Sequence, residues 1–184
     1  MGDAFSRIYP ICSGSFKNEL VQADGREQVI GFYMPGDILG IDGIGEGHYA
    51  CNAVALEDCD VCMISFSEFG NISREVRGLQ HSFHQLMSRE MVRDKDLMLL
   101  LGSMRAVERL AAFLLTLSQR FEAKGYSASE FNLRMQRRDV ASFLGLTLET
   151  VSRLISKLQG DSLIRVRHKH VRILDAAGLR SIIG

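Results

Sequence analysis

Long apolar runs are missing from this 184-residue sequence. A bilayer-spanning helix needs about 18 or more consecutive apolar residues, and charges or glycines interrupt even the stretch around Leu97 to Leu101. No membrane partner is therefore expected. The start, Met1 to Phe5, lacks the basic and apolar segments of a secretion signal, which predicts a cytoplasmic location. The four cysteines are then expected as reduced thiols or metal ligands and not as a disulfide framework. A glycine-rich phosphate loop, a nucleophile elbow and a pair of acids in a shared pocket context are all absent, so no enzymatic activity is expected. Internal repeats and low-complexity tracts are missing too. What remains is 46% hydrophobic and 24% charged, the balance of a chain that folds around a core.

Cations are missing from one region. Lys and Arg each fail to appear between Glu27 and Ser73, where eight acids fall. From Arg134 to Arg172 the balance reverses, with nine basic residues against three acids, a local net of +6 on a chain of net charge zero. A basic lobe on a neutral chain points to a polyanion, most often nucleic acid; a solvated mixed-charge surface is the alternative.

Residues 8 to 69 read as short strands punctuated by glycine. Ile8 to Cys12, Phe16 to Gln22, Gln28 to Tyr33 and Val61 to Phe66 are rich in β-branched and aromatic residues, and Ser13-Gly14, Asp24-Gly25 and Pro35-Gly36-Asp37 are turn formers. An antiparallel β region is predicted, with a hairpin at Asp24-Gly25. From Val76 the period changes. Apolar residues recur at Leu79, Phe83, Leu86, Met91, Leu97 and Leu101, too far for an ordinary packing helix, and a two-stranded coiled-coil dimer is the favoured reading. Asp94 is placed on the seam as a dimer switch. Glu90 is left open between the seam and solvent. Gly102-Ser103 breaks the helix, a second helix over Arg105 to Lys124 ends at Gly125, and two β-rich runs, Leu163 to Val166 and Val171 to Leu174, form a small hairpin.

The segment Arg137 to Ser156 has helix-turn-helix spacing. Ala141 lets two helices cross closely, Gly145 supplies the positive φ that ends the first, and Val151 packs beneath the second. Thr147 can cap the second helix, with Glu149 in its first turn. Glu149, Ser152 and Arg153 share one polar face near that helix's N-terminus, where a recognition helix meets base edges. A generic helical hairpin is the alternative, but the spacing, the basic hairpin and the local charge together favour DNA.

The strings LGLTLETVSRL (144–154), ERLAAF (108–113) and GDILG (36–40) resemble the CRP/FNR superfamily of bacterial transcription regulators. Gly31-Phe32, the stretch Gly45 to His48, Ala55 to Glu57 before Val61-Cys62, and Asp94 with Asp96 are most similar to its oxygen-responsive FNR branch. The resemblance implies an α+β chain: a partial antiparallel β-roll sensor, an incomplete cyclic-nucleotide-binding-like jelly roll, over residues 1–70; a long dimerisation helix over 71–101; and a winged helix-turn-helix over 102–184. It implies a homodimer on double-stranded DNA, acting through RNA polymerase, with the Ala23 to Arg26 loop and the Ser127 region touching the polymerase. It also implies an inverted repeat of TTGAT. Glu149 and Arg153 would address its G·C pair and Ser152 a thymine, while Lys157, Arg167 and Lys169 hold phosphates.

For the sensor, the resemblance implies an oxygen- or redox-responsive 4Fe-4S iron-sulfur cluster in the full-length protein, with Cys62 at the position of the distant ligand. The three N-terminal cysteines of that branch have no counterpart here. Either the chain is a fragment or this member has lost its cluster. Cyclic nucleotide is not expected, because the superfamily's nucleotide sensors hold the phosphate with an arginine, and the region where it would lie has no cation. Cys12, Cys51 and Cys59 read as small buried hydrophobes. His48, His81 and His84 read as surface residues. Two alternatives stay open: a cluster-free regulator using a Cys59/Cys62 thiol pair, and a β ligand-binding domain with a protein-interaction tail.

Overall fold

The computed structural model describes residues 1–76 and 78–184, which divide into two compact units, Met1–Asp96 and Leu97–Gly184. In the first unit, β1 (Arg7–Ser13) pairs antiparallel with β4 (Ile38–Leu39), β6 (Asp60–Val61) and β7 (Ile64–Ser65). A second antiparallel sheet has the order β3 (Glu27–Tyr33), β2 (Phe16–Val21), β5 (Asn52–Ala55). Ile8 and Ile11 of β1, and Val29 and Phe32 of β3, are buried in the core with Met34 and Leu39, although each pair is three residues apart and strict alternation would set its members on opposite faces. The hairpin at Asp24-Gly25 forms with Gly25 at φ 82, and its loop runs from Gln22 to Arg26, whose backbone groups close it at 2.9 Å.

The strand expected over Val61 to Phe66 is instead split. Cys62 and Met63 separate β6 from β7, and Phe66 opens a helix, α1 (Phe66–Glu75). Aromatic residues there pack on one another: Phe66 lies 5.1 Å from Phe5 and Phe69 lies 4.8 Å from Phe83, centroid to centroid. Phe83 lies in the second turn of α2 (Leu79–Ser103), the long helix that the apolar period predicts. The face of α2 that packs on its own chain carries Phe83, Leu86, Glu90 and Arg93.

This corrects the reading of Glu90, which lies neither on a seam nor in solvent. Its carboxylate pairs with the Arg93 guanidinium and accepts a 3.2 Å hydrogen bond from the Tyr33 hydroxyl. Arg93 also reaches Asp37 at 2.9 Å, and Asp37 accepts from the Met34 backbone N–H at 2.9 Å. Burial works to lower the Arg93 pKa, but the facing Asp37 and Glu90 carboxylates raise it further, so the net shift is upward. The same burial, with Glu90 beside it, pushes the Tyr33 hydroxyl up. The adjoining stripe of α2 is more open. Met87, Met91, Asp94 and Met98 follow there four, three and four residues apart, with Met87 half-buried, Met91 60% and Met98 68% exposed, and Asp94 exposed between them.

The second unit holds α3 (Ala106–Ala123), β8 (Glu130–Asn132), α4 (Arg137–Leu144), α5 (Leu148–Gly160), β9 (Ile164–Arg167), β10 (His170–Ile173) and α6 (Ala176–Ile183). Leu110, Phe113, Leu114 and Leu117 of α3 are buried with Val140, Leu144, Val151, Leu158 and Leu179. Strand β8 completes a three-stranded sheet in the order β8, β10, β9. No helix among the described residues is long and apolar enough to cross a membrane.

Candidate DNA interface

Two short helices and a hairpin build the site. The first, α4, opens where the Gln136 N–H donates to Asp139 Oδ2 at 2.8 Å, and it ends at Gly145 in the left-handed region, φ 62 and ψ 38. A Cβ at Gly145 would stand 3.3 Å from Leu101 Cδ2 and 3.4 Å from Arg109 Nη1, so the position is crowded as well as left-handed. The second helix, α5, starts on Thr147, whose Oγ1 accepts from the Thr150 N–H at 3.2 Å. Val151, Ile155 and Leu158 face inward from α5, three and four residues apart.

That inward face fixes what points out. Glu149 and Arg153 are exposed near the N-terminus of α5, Ser152 is half-buried beside them, and Lys157 is exposed one turn on. The Glu149 carboxyl is held below the usual range by its own backbone N–H and by the Thr147 hydroxyl, so it stays ionised. Arg153 donates to Thr150 Oγ1 at 3.4 Å. An ionised acid accepts from a cytosine amino group and an arginine donates to guanine, so this face can read a G·C pair. The adjoining hairpin pairs Arg167 with His170 and turns through His168, at φ 55, and Lys169. Arg165, Arg167 and Lys169 are exposed on it, suited to phosphate oxygens.

Arg109 is a positioning residue that the sequence reading passed over, although it lies within the ERLAAF string. Its guanidinium donates to three carbonyls: Leu101 at 2.9 Å, Met104 at 2.9 Å and Leu144 at 3.0 Å. One side chain thus satisfies backbone acceptors at the ends of α2 and α4. Its neighbour Glu108 accepts from the Arg105 N–H at 2.8 Å at the start of α3.

In the first unit, Cys12 and Cys59 differ from their expected buried environments and Cys51 does not. Cys51 is buried as expected, and burial, with Asp42 beside it, pushes its thiol up to about 12. Cys12 is exposed instead of buried, and its Sγ lies 3.1 Å from Sγ of exposed Cys62. Cys59 is half-buried and directs its thiol to the carbonyls of Glu57, at 3.1 Å, and Ser15, at 3.4 Å. The thiol that meets Cys62 is therefore Cys12, and Cys59 is engaged elsewhere. Among the described residues no group of three His, Cys, Asp or Glu side chains is placed to hold a metal, so the four-thiolate set of a 4Fe-4S cluster is not assembled from these residues. His48, His81 and His84 are exposed. A cavity of about 550 Å³ in this unit is lined by Tyr9, Asn18, Asp42 and Tyr49 among others, with no lysine or arginine among its described lining residues.

A family pattern described as the Crp-like helix-turn-helix domain matches residues 108–182, and one described as the cyclic nucleotide-binding domain matches residues 1–75. The transcriptional regulatory protein btr of Bordetella pertussis is 45% identical over 184 residues, spanning 100% of this chain and 76% of that protein. The fumarate and nitrate reduction regulatory protein of Escherichia coli (strain K12) is 40% identical over 183 residues, spanning 100% of this chain and 73% of that protein. The structure of FixK2 from Bradyrhizobium japonicum superposes with a TM-score of 0.89 at 27% identity, covering 100% of this chain and 90% of that one. These relatives are regulators and not enzymes. Helix-turn-helix geometry, the sheet and long helix before it, and this identity across the whole chain agree: the protein belongs to the CRP/FNR family of DNA-binding transcription regulators.

Proposed function

We propose that this chain reads a specific inverted-repeat operator as a homodimer, through Glu149, Ser152 and Arg153, and regulates transcription in response to oxygen or redox state. The observation that carries the reading is the outward face of α5, where an ionised acid and an arginine stand one turn apart beside a basic hairpin. Lys157, Arg167 and Lys169 serve as phosphate contacts. Residues 1–70 act as the sensor, 71–101 as the dimerisation helix and 102–184 as the DNA-binding part. Dimerisation uses the open stripe of α2, because two exposed methionines at coiled-coil spacing gain by facing their own copies. The exposed loop from Ala23 to Arg26 and the Ser127 region are the surfaces offered to RNA polymerase in a cytoplasmic setting.

The redox part is supported by the likeness to the fumarate and nitrate reduction regulatory protein and by the exposure of Cys62. Cys62 would be the ligand this chain offers an iron-sulfur cluster; its own residues do not complete the set, and no step of DNA reading runs through that group. Cyclic nucleotide remains disfavoured, because a phosphate in the cavity would meet Asp42 and no basic side chain of the described lining.

A salt titration tests the DNA reading. On a duplex with an inverted repeat of TTGAT, the logarithm of the association constant should fall linearly with the logarithm of salt concentration. Lys157→Ala and Lys169→Ala should each shallow that slope by about 1, equally on operator and scrambled duplex. Binding that ignores salt, or no binding to duplex at all, would favour the protein-interaction reading instead.

A further inference from the structure

Cys12 and Cys62 come from opposite ends of the β unit, 50 residues apart in sequence, yet their sulfurs lie 3.1 Å apart. Regular pairing alone does not explain this. Ile11 faces Val61 and Ser13 faces Asp60, so β1 spends two steps where β6 spends one, and Cys12 is the extra residue of a β-bulge. Bulges re-aim side chains, and this one turns the Cys12 thiol onto the residue that follows β6. The Cys62 backbone N–H donates to the Pro10 carbonyl at 2.9 Å, which fixes the other thiol from its own side, and Ser13 Oγ donates to Asp60 Oδ2 at 2.9 Å across the same junction. Both thiols are exposed. Their competitors are not equivalent: Cys51 is buried and Cys59 is turned to the Glu57 and Ser15 carbonyls.

We propose that Cys12 and Cys62 form a dithiol site that low-molecular-weight disulfides oxidise to an intramolecular disulfide. The thiolate of one cysteine attacks a sulfur of the small disulfide RSSR, breaking its S–S bond, forming a protein–SR mixed disulfide and releasing one thiolate RS⁻. The second protein thiolate then attacks the cysteine sulfur of that mixed disulfide and releases the other RS⁻. Two thiols of the protein are oxidised, the small disulfide is reduced to two thiols, and the two protein protons are taken up by the released thiolates. The second step is favoured because the resolving sulfur already stands within van der Waals contact. The site stands without the iron-sulfur reading. Its consequence for regulation rests on that reading, since a Cys62 sulfur held in a disulfide is no longer a thiolate available to metal.

The test uses the 184-residue chain, with the thiols counted by mass. After equilibration with oxidised glutathione, the protein is denatured and alkylated with iodoacetamide, because native alkylation would miss buried Cys51. The expected result is two alkylated cysteines where the dithiothreitol-reduced protein has four, with a peptide map joining Cys12 to Cys62. Cys59→Ser should leave that link intact, and Cys12→Ser should abolish it, leaving Cys62 alkylated or carrying glutathione. Four alkylated cysteines in the treated wild type, a link from Cys62 to Cys59, or links only between chains would overturn the proposal. The readout is a covalent bond, so its outcome is independent of whether the chain binds the operator.

Discussion

Gly145 shows how a single residue sets the interface. Its left-handed conformation closes α4 and aims the chain into α5, while Leu101 and Arg109 occupy the space beside it. A side chain in this region of φ costs roughly 1–2 kcal/mol. Gly145→Ala should therefore lower stability by about that amount in urea unfolding, with binding weakened on every sequence equally; unchanged stability would mean that the turn is not constrained as described. Local signals of this kind were legible in the sequence. Thr147, Gly145 and the three-and-four spacing of Val151, Ile155 and Leu158 act within a few residues of themselves. Contacts between distant residues were not legible. Glu90 meets Tyr33 and, through Arg93, Asp37, which its helical period could not reveal, and Cys12 meets Cys62 only because of a bulge. Cys12 also violates the expectation that a strand cysteine is a buried one.

At the scale of elements, α2 was predicted in length but not in orientation. The apolar period mixed two faces, since Phe83 and Leu86 serve the helix's own chain while Met91 and Met98 stand open. Helix α1 went unseen because Ile64 to Phe66 reads as the end of a strand, and the packing of Phe66 and Phe69 decides otherwise. On the open stripe, fully burying a methionine contributes roughly 1.5–3 kcal/mol, so Met91 and Met98 of two protomers favour pairing. Asp94 between them opposes it, because desolvating an unpaired carboxylate costs several kcal/mol per ion. In the proposed dimer, terms of similar size and opposite sign would make α2 a helix whose pairing a modest bias can tip. Asp94→Ala removes the opposing term. In sedimentation under air the variant should run at dimer mass and wild type lighter, and it should bind operator without the redox signal. Equal masses for the two proteins would remove Asp94 from the switch and leave it a solvent-facing acid.

Across the whole molecule, charge divides between the two compact units. The first unit carries the acidic, cation-free stretch and the thiols; the second carries the basic lobe and the outward face of α5. The family could be read from strings spread along the entire chain, whereas the signal it answers could not, because no group of three possible metal ligands is brought together among the described residues. The central claim is that Glu149, Ser152 and Arg153 read bases and do not merely hold DNA. It is tested most directly by measuring, at one fixed salt concentration, the affinities of wild type and Arg153→Ala for the TTGAT inverted repeat and for the same duplex with its G·C pairs replaced. The variant should lose about 1–3 kcal/mol on the operator and bind the two duplexes nearly alike, while wild type prefers the operator. An Arg153→Ala protein that keeps both the wild-type affinity and the wild-type preference would contradict the account.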